Sequence, residues 1–106
     1  MYKRQDIVEA FRRNDFQLYG LTDFVHTLAQ NDAERISTNI AEYGDELVSL
    51  TEESWQSSVY LWVDGFWDVL IDLVTLDEGV SDLVMFVKVR ENDGNYCFTV
   101  EDVHVP

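Results

Sequence analysis

From Ser57 to the end of the chain, apolar residues recur at every second position, and two Asp-Gly pairs interrupt the alternation. A period of two is the period of a β-strand, whose successive side chains point to opposite faces of a sheet. Asp-Gly in a two-residue loop supplies the positive φ angles of a tight hairpin turn. The segments "SSVYLWV", "FWDVLIDLV", "DLVMFVKVR" and "YCFTVEDVHV" therefore read as strands. Asp64-Gly65 and Asp93-Gly94 close two hairpins, and "TLDEGVS", with Gly79, makes the longer connection between them. Such a pattern predicts an antiparallel meander.

The first half of the chain has a different period. Between Tyr2 and Arg13, the apolar Ile7, Val8 and Phe11 share one helical face, and Lys3, Arg4, Glu9, Arg12 and Arg13 occupy the rest. Asn14 to Gly20 is a connection. Thr22 is a good N-cap with Asp23 in the first turn, and Val25, Leu28, Ala29, Ile36, Ile40 and Tyr43 continue an apolar stripe. The "QNDAER" segment is a place for that stripe to break into two helices, with Asn31 or Asp32 as the second cap. Gly44 stands where a helix stops, and Thr51 caps a further short turn through Glu52 and Glu53. At 106 residues the chain has room for one core. The expected fold is α+β: a single domain over 1–106, mainly helical over 1–56, with its helices packed on a four-stranded antiparallel β-meander over 57–106.

The turns also fix a register. If Asp64 and Gly65 are the loop residues, Val63 pairs with Phe66, Trp62 with Trp67, Leu61 with Asp68, Tyr60 with Val69 and Val59 with Leu70. One face then carries Tyr60, Trp62, Trp67, Val69, Ile71, Leu73, Leu83, Met85, Val87, Val89, Phe98 and Val100. This richer face is expected to lie under the helices, with both tryptophans buried. The other face carries Val59, Leu61, Val63, Phe66, Leu70, Val84 and Phe86, mixed with Asp68, Asp72, Lys88, Arg90, Thr99 and Glu101. A solvated face alternates to polar residues more cleanly than that. Either the first helix covers it, giving a three-layer domain, or it is a charge-rimmed apolar patch that binds another protein.

Charge is where the composition departs most from the ordinary. There are 21 Asp and Glu against 7 Lys and Arg, a formal net charge of −14. Affinity for phosphate comes from clustered basic residues, so direct nucleic-acid binding is not expected. A negative field of this size instead speeds association with cationic partners. Hydrophobic residues make up 46%, enough to fold without cross-links. The single cysteine, Cys97, permits no internal disulfide, and no apolar run is long enough for a membrane span or a signal sequence. The expected setting is cytoplasmic, away from membranes.

Chemistry-bearing motifs are sparse. Asp68 and Asp72 stand two strand periods apart on one face, a spacing compatible with acid–base work. A cross-strand ion pair from Lys88 to Asp68, and hydrogen bonds from Ser57 or Ser58 to Asp72, explain them more simply. "LDEGVSD" offers Asp77, Glu78 and Asp82 as oxygen donors in the manner of a short calcium loop, but without the spacing of an EF-hand. His26, His104 and Cys97 form no zinc pattern, and there is no phosphate loop, nucleophile elbow or zinc-protease motif. The expectation is a non-enzymatic protein without cofactor or metal.

"SW" at Ser54-Trp55, "WDVLIDLVTLDEGVSDLVMFVKV" and the closing "VHVP" resemble a family of small acidic bacterial proteins of unknown function, similar to the immunity proteins encoded beside polymorphic or contact-dependent toxins. The resemblance covers roughly the C-terminal half. It implies a protein that neutralises a cognate toxin carrying a basic surface, such as a nuclease, by occluding a functional surface. It assigns no residues. The face argument does, placing the partner site on Asp68, Asp72, Leu61, Phe66, Leu70 and Phe86, with Asp77, Glu78 and Asp82 of the acidic connection. Within that set, Asp72 has no basic residue opposite it and is the expected contact for a toxin cation. The rival readings are an acidic nucleic-acid mimic that inhibits another basic protein, and a small ligand-binding or enzymatic domain using Asp68 and Asp72.

Overall fold

The computed structural model describes residues 3–21 and 24–106. Three helices, α1 (Lys3–Arg12), α2 (Gln30–Tyr43) and α3 (Glu52–Ser57), accompany five strands: β1 (Leu47–Val48), β2 (Val59–Val63), β3 (Phe66–Thr75), β4 (Gly79–Asn92) and β5 (Asn95–His104). The fold is α+β, as the change of period requires. The sheet is antiparallel with order β1-β3-β4-β5, and β2 also pairs with β3.

The Asp-Gly turns set the register as expected. Asp64 and Gly65 have φ of 34° and 102°, Asp93 and Gly94 of 51° and 81°. Val63 pairs with Phe66, Trp62 with Trp67, Leu61 with Asp68, Tyr60 with Val69 and Val59 with Leu70. β1 is an addition that sequence reading did not reach, because two residues are too few to show a period. It pairs with Val74 and Thr75 at the far end of β3. β1 and β2 thus share one edge of β3. In the gap between them the Ser54 hydroxyl donates to the Asp72 carbonyl.

The second helix begins later than its apolar stripe. Thr22 and Asp23, the expected cap, lie outside the described residues. Val25 forms a parallel bridge with Phe98, the His26 N–H donates to the Phe98 carbonyl at 2.9 Å, and the Phe98 N–H donates to the Phe24 carbonyl at 2.7 Å. Val25, Leu28 and Ala29 are therefore not helical. Val25 lies along β5, and the Leu28 N–H donates to the Gln17 carbonyl at 3.0 Å, so these bonds satisfy backbone groups that burial would otherwise strand. Neither Asn31 nor Asp32 is the cap. Ala29 occupies that position in extended conformation with no side-chain bond, and Asp32 sits in the first turn, 2.8 Å from Arg35. The other stops are as expected: Gly44 ends α2 at φ 83°, and the Thr51 hydroxyl accepts from the Ser54 N–H at 3.3 Å.

Ile7, Val8, Phe11, Ala33 and Ile36 of the helices bury the face formed by Val69, Ile71, Leu73, Leu83, Met85, Val87, Val89, Phe98, Val100 and Val103. The face assignment holds for the sheet's centre and fails at its tip. Trp62 and Trp67 pack edge to face at 5.2 Å, yet they are 61% and 39% exposed. The expectation that they are buried is wrong, because parity says which face a side chain takes and not how far the helix layer reaches. Their strand neighbours Val69 and Ile71 are buried, so the faces are not inverted.

Candidate functional site

Among the described residues no helix lies over the centre of the opposite sheet face, and Ile7, Val8 and Phe11 of α1 pack in the core, so the three-layer alternative does not hold. Phe66, Leu70 and Phe86 are half-buried there, and Leu61 is 52% exposed. Phe66 lies under two cations, with Lys88 Nζ 4.5 Å and Arg90 Cζ 5.3 Å from its ring centroid. Leu70 stands directly opposite Phe86 in the β3–β4 register. The Phe86 ring stacks on His104 at 4.5 Å and 17°. The result is an apolar strip with cations over one end and a histidine–aspartate pair at the other.

That pair follows from an irregularity in β5. Phe86 pairs with Asp102 and Val87 with Val100, so Glu101 is one residue extra. Such a bulge bends the strand and re-aims its side chains. It places Asp102 Oδ2 2.8 Å from His104 Nδ1, while Asp102 Oδ1 meets Arg35 Nε at 3.2 Å. Burial alone would raise the Asp102 carboxyl. The Arg35 guanidinium, the Val103 amide and His104 outweigh it and hold the group below its ordinary value.

Lys88 takes a different partner from the one expected. Asp68 and Lys88 are opposite in register, as expected, but Lys88 Nζ lies 3.5 Å from Glu101 Oε2. The expected Lys88–Asp68 ion pair is not formed, and among the described residues no ion pair reaches Asp68. Asp72 accepts from the Ser57 hydroxyl at 2.6 Å, one of the two alternative donors expected for it. The structure thus reverses the order of the two carboxylates: Asp68 is the one left free of a partner.

Asp77, Glu78 and Asp82 are not part of this strip. They surround the β3–β4 turn beside the end of α2. Tyr43 donates to both Glu78 carboxylate oxygens at 2.9 and 3.0 Å, and its hydroxyl accepts from the Asp82 N–H at 3.2 Å. Asp45 accepts from the Asp77 N–H at 3.2 Å. These bonds give the acidic connection a structural anchor. Among the described residues no group of three or more His, Cys, Asp and Glu side chains gathers as a metal site.

A second exposed surface went unread in the sequence. Beyond the helix layer, Tyr60, Trp67, Val69, Val89 and Tyr96 line a cleft of about 180 Å³ on the core-side face. Tyr96 has the parity of Phe98, which was the available signal. Below this cleft Arg4 is buried, its guanidinium 3.6 Å from the Trp55 ring centroid and 5.2 Å from that of Tyr60. Nε and Nη1 of Arg4 find no hydrogen-bond partner among the described residues. Burial lowers the Arg4 pKa, and Tyr60 pulls it back up. Contact with two aromatic faces compensates part of the lost hydration.

Fold and surface define a small, strongly acidic α+β domain with one sheet face open. The chain belongs to a family described as a domain of unknown function (DUF7668), whose model matches residues 8–106. The match takes in α2, α3 and the whole sheet, and so extends well beyond the C-terminal half. No curated protein and no solved structure matches the chain.

Proposed function

We propose that this protein is an inhibitory binding module that docks its open sheet face on a basic partner protein, in the manner of an immunity protein neutralising a cognate toxin. The observation that carries the reading is the strip of Phe66, Leu70 and Phe86 left half-exposed beside the unpaired Asp68, on a chain of net charge −14. Apolar residues at the centre of such a patch supply affinity, and the surrounding charge supplies approach rate and selection among partners. Lys88 and Arg90 stand over Phe66 within the same face. That interruption favours recognition of a protein over mimicry of a continuous phosphate track. In this reading the protein acts by occlusion and turns over no substrate.

The test is co-expression with the product of the gene adjacent to its own, followed by association kinetics on the purified complex. The on-rate is expected to fall steeply between about 0.05 and 0.5 M salt, as the Debye length contracts. Asp68→Asn is expected to weaken binding more than Asp72→Asn, and Phe86→Ala to weaken it without altering the salt dependence. A salt-independent on-rate, or full affinity in all three variants, removes the open face from the interface.

A further inference from the structure

β2 has the sequence Val59-Tyr60-Leu61-Trp62-Val63, and all five residues are exposed. Among the described residues it pairs on one side only, with β3. Proteins protect strands of this kind with charge, proline, bulges or a covering segment. β2 carries no charged residue and no proline, and among the described residues no hydrogen bond from another segment reaches its backbone. The two-residue turn makes Val63–Phe66 a hydrogen-bonded pair. By alternation Leu61–Asp68 is another, and Tyr60 and Trp62 turn their N–H and C=O groups away from β3.

Those two residues are symmetric about Leu61. An identical strand laid antiparallel across a two-fold axis at Leu61 brings Tyr60 opposite Trp62 of the second copy, and Trp62 opposite its Tyr60. Both are then hydrogen-bonded pairs, four bonds in all, and Leu61 meets its own copy as a non-hydrogen-bonded pair. Val59 falls opposite Val63, extending the apolar strip of the open face across the axis. On the other face each Trp62 comes to the mouth of the aromatic cleft of the opposite copy. We propose that β2 is a self-complementary edge through which two copies of this chain form one continuous sheet about a two-fold axis at Leu61.

Charge separates a second copy from a cationic strand as the occupant. None of the 21 acidic residues lies on β2, so the strand offers a basic partner nothing to grasp and an identical strand nothing to repel it. Repulsion between two copies of charge −14 acts at longer range, where salt screens it. Self-association is therefore expected to strengthen as salt rises, opposite in sign to the binding of a basic partner. The pairing does not depend on the inhibitory reading.

The experiment is sedimentation of the intact chain over a concentration series at low and high salt, with substitutions on the axis. Leu61→Lys leaves the exposed site tolerant of the change in a single chain, but sets two ammonium groups opposite each other across the axis. It is expected to abolish the dimer while the far-ultraviolet circular dichroism of the fold is retained. In a Cys97→Ser background, Leu61→Cys is expected to give a disulfide-linked dimer on mild oxidation, since Cα atoms of such a pair stand about 4.5 Å apart. Val63→Cys, about 13 Å from its own copy along the strands, is not. A chain that stays monomeric at every concentration and salt, or Val63→Cys cross-linking as readily as Leu61→Cys, overturns the proposal and leaves the edge to a different chain.

Discussion

At the β5 edge, the outward N–H and C=O of Phe98 are taken up by Phe24 and His26. Further along, Arg35 Nη2 donates to the Glu101 carbonyl at 3.1 Å and Asn39 Nδ2 donates to the Val103 carbonyl at 2.9 Å. A bulge at Glu101 twists the strand between them. At the β2 edge there is no bulge and no covering segment among the described residues, only five exposed apolar side chains. One sheet thus carries a sealed edge and an open one. Sealing took much of the residue 24–43 region, which is what gives the difference its meaning: the chain spends a segment and two side chains on one edge and none on the other.

The largest expected contrast is in stability. Phe98 is 3% exposed, and Phe98→Ala is expected to cost about 3–5 kcal/mol, the range for a buried large aromatic. Trp62→Ala on the open edge removes mainly the pair with Trp67 and is expected to cost about 0.5–1.5 kcal/mol. Denaturant midpoints measured below the concentration at which copies associate compare the two directly. Equal costs would mean that the tip is packed as firmly as the centre.

A smaller effect isolates the seal itself. Asn39→Ala strands the Val103 carbonyl and is expected to cost about 1–2 kcal/mol. Val63→Thr on the open edge is expected to stay within about 0.5 kcal/mol of the parent, as exposed substitutions do.

These contrasts also mark where the sequence was legible. Hairpin register followed from Asp64-Gly65, because a two-residue turn leaves one pairing, and the buried face followed from parity. Three things lay beyond local pattern. Val25 and Leu28 fit a helical stripe, but residues 24–26 are drawn out along β5 by hydrogen bonds to a strand more than seventy residues away. Trp62 and Trp67 share the parity of the core but project past the helix layer. Lys88 faces Asp68 in register, yet its side chain reaches Glu101 of β5 instead. That Phe66, Asp68, Leu70, Asp72 and Phe86 share one face was legible for the same reason the register was. Phe66 beneath its two cations and the Asp102–His104 pair were not, because both depend on how side chains settle after the sheet has formed.

The smallest effect is one of pH. Asp102 is held below its ordinary value in the folded chain, so the unfolded chain takes up the proton first, near pH ~4. Its contribution is present above that pH and is lost as pH falls through the folded value. Asp102→Asn is therefore expected to be less stable than the parent at neutral pH, with the gap closing on acidification. The gap for Trp62→Ala, at a site with no titrating group, is expected to stay constant over the same range. A constant gap for Asp102→Asn would show that the Arg35 clamp adds nothing at the sealed edge.

Residue-resolved amide hydrogen exchange compares the two edges in one experiment. In Leu61→Lys the Tyr60 and Trp62 amides are expected to exchange fast, the Leu61-position and Val63 amides slowly, and the Phe98 amide slowly. In the parent at high concentration and high salt, Tyr60 and Trp62 are expected to become protected while Phe98 is unchanged. Tyr60 and Trp62 amides protected to the level of Phe98 in Leu61→Lys itself would contradict the account, since the edge would then be sealed within a single chain.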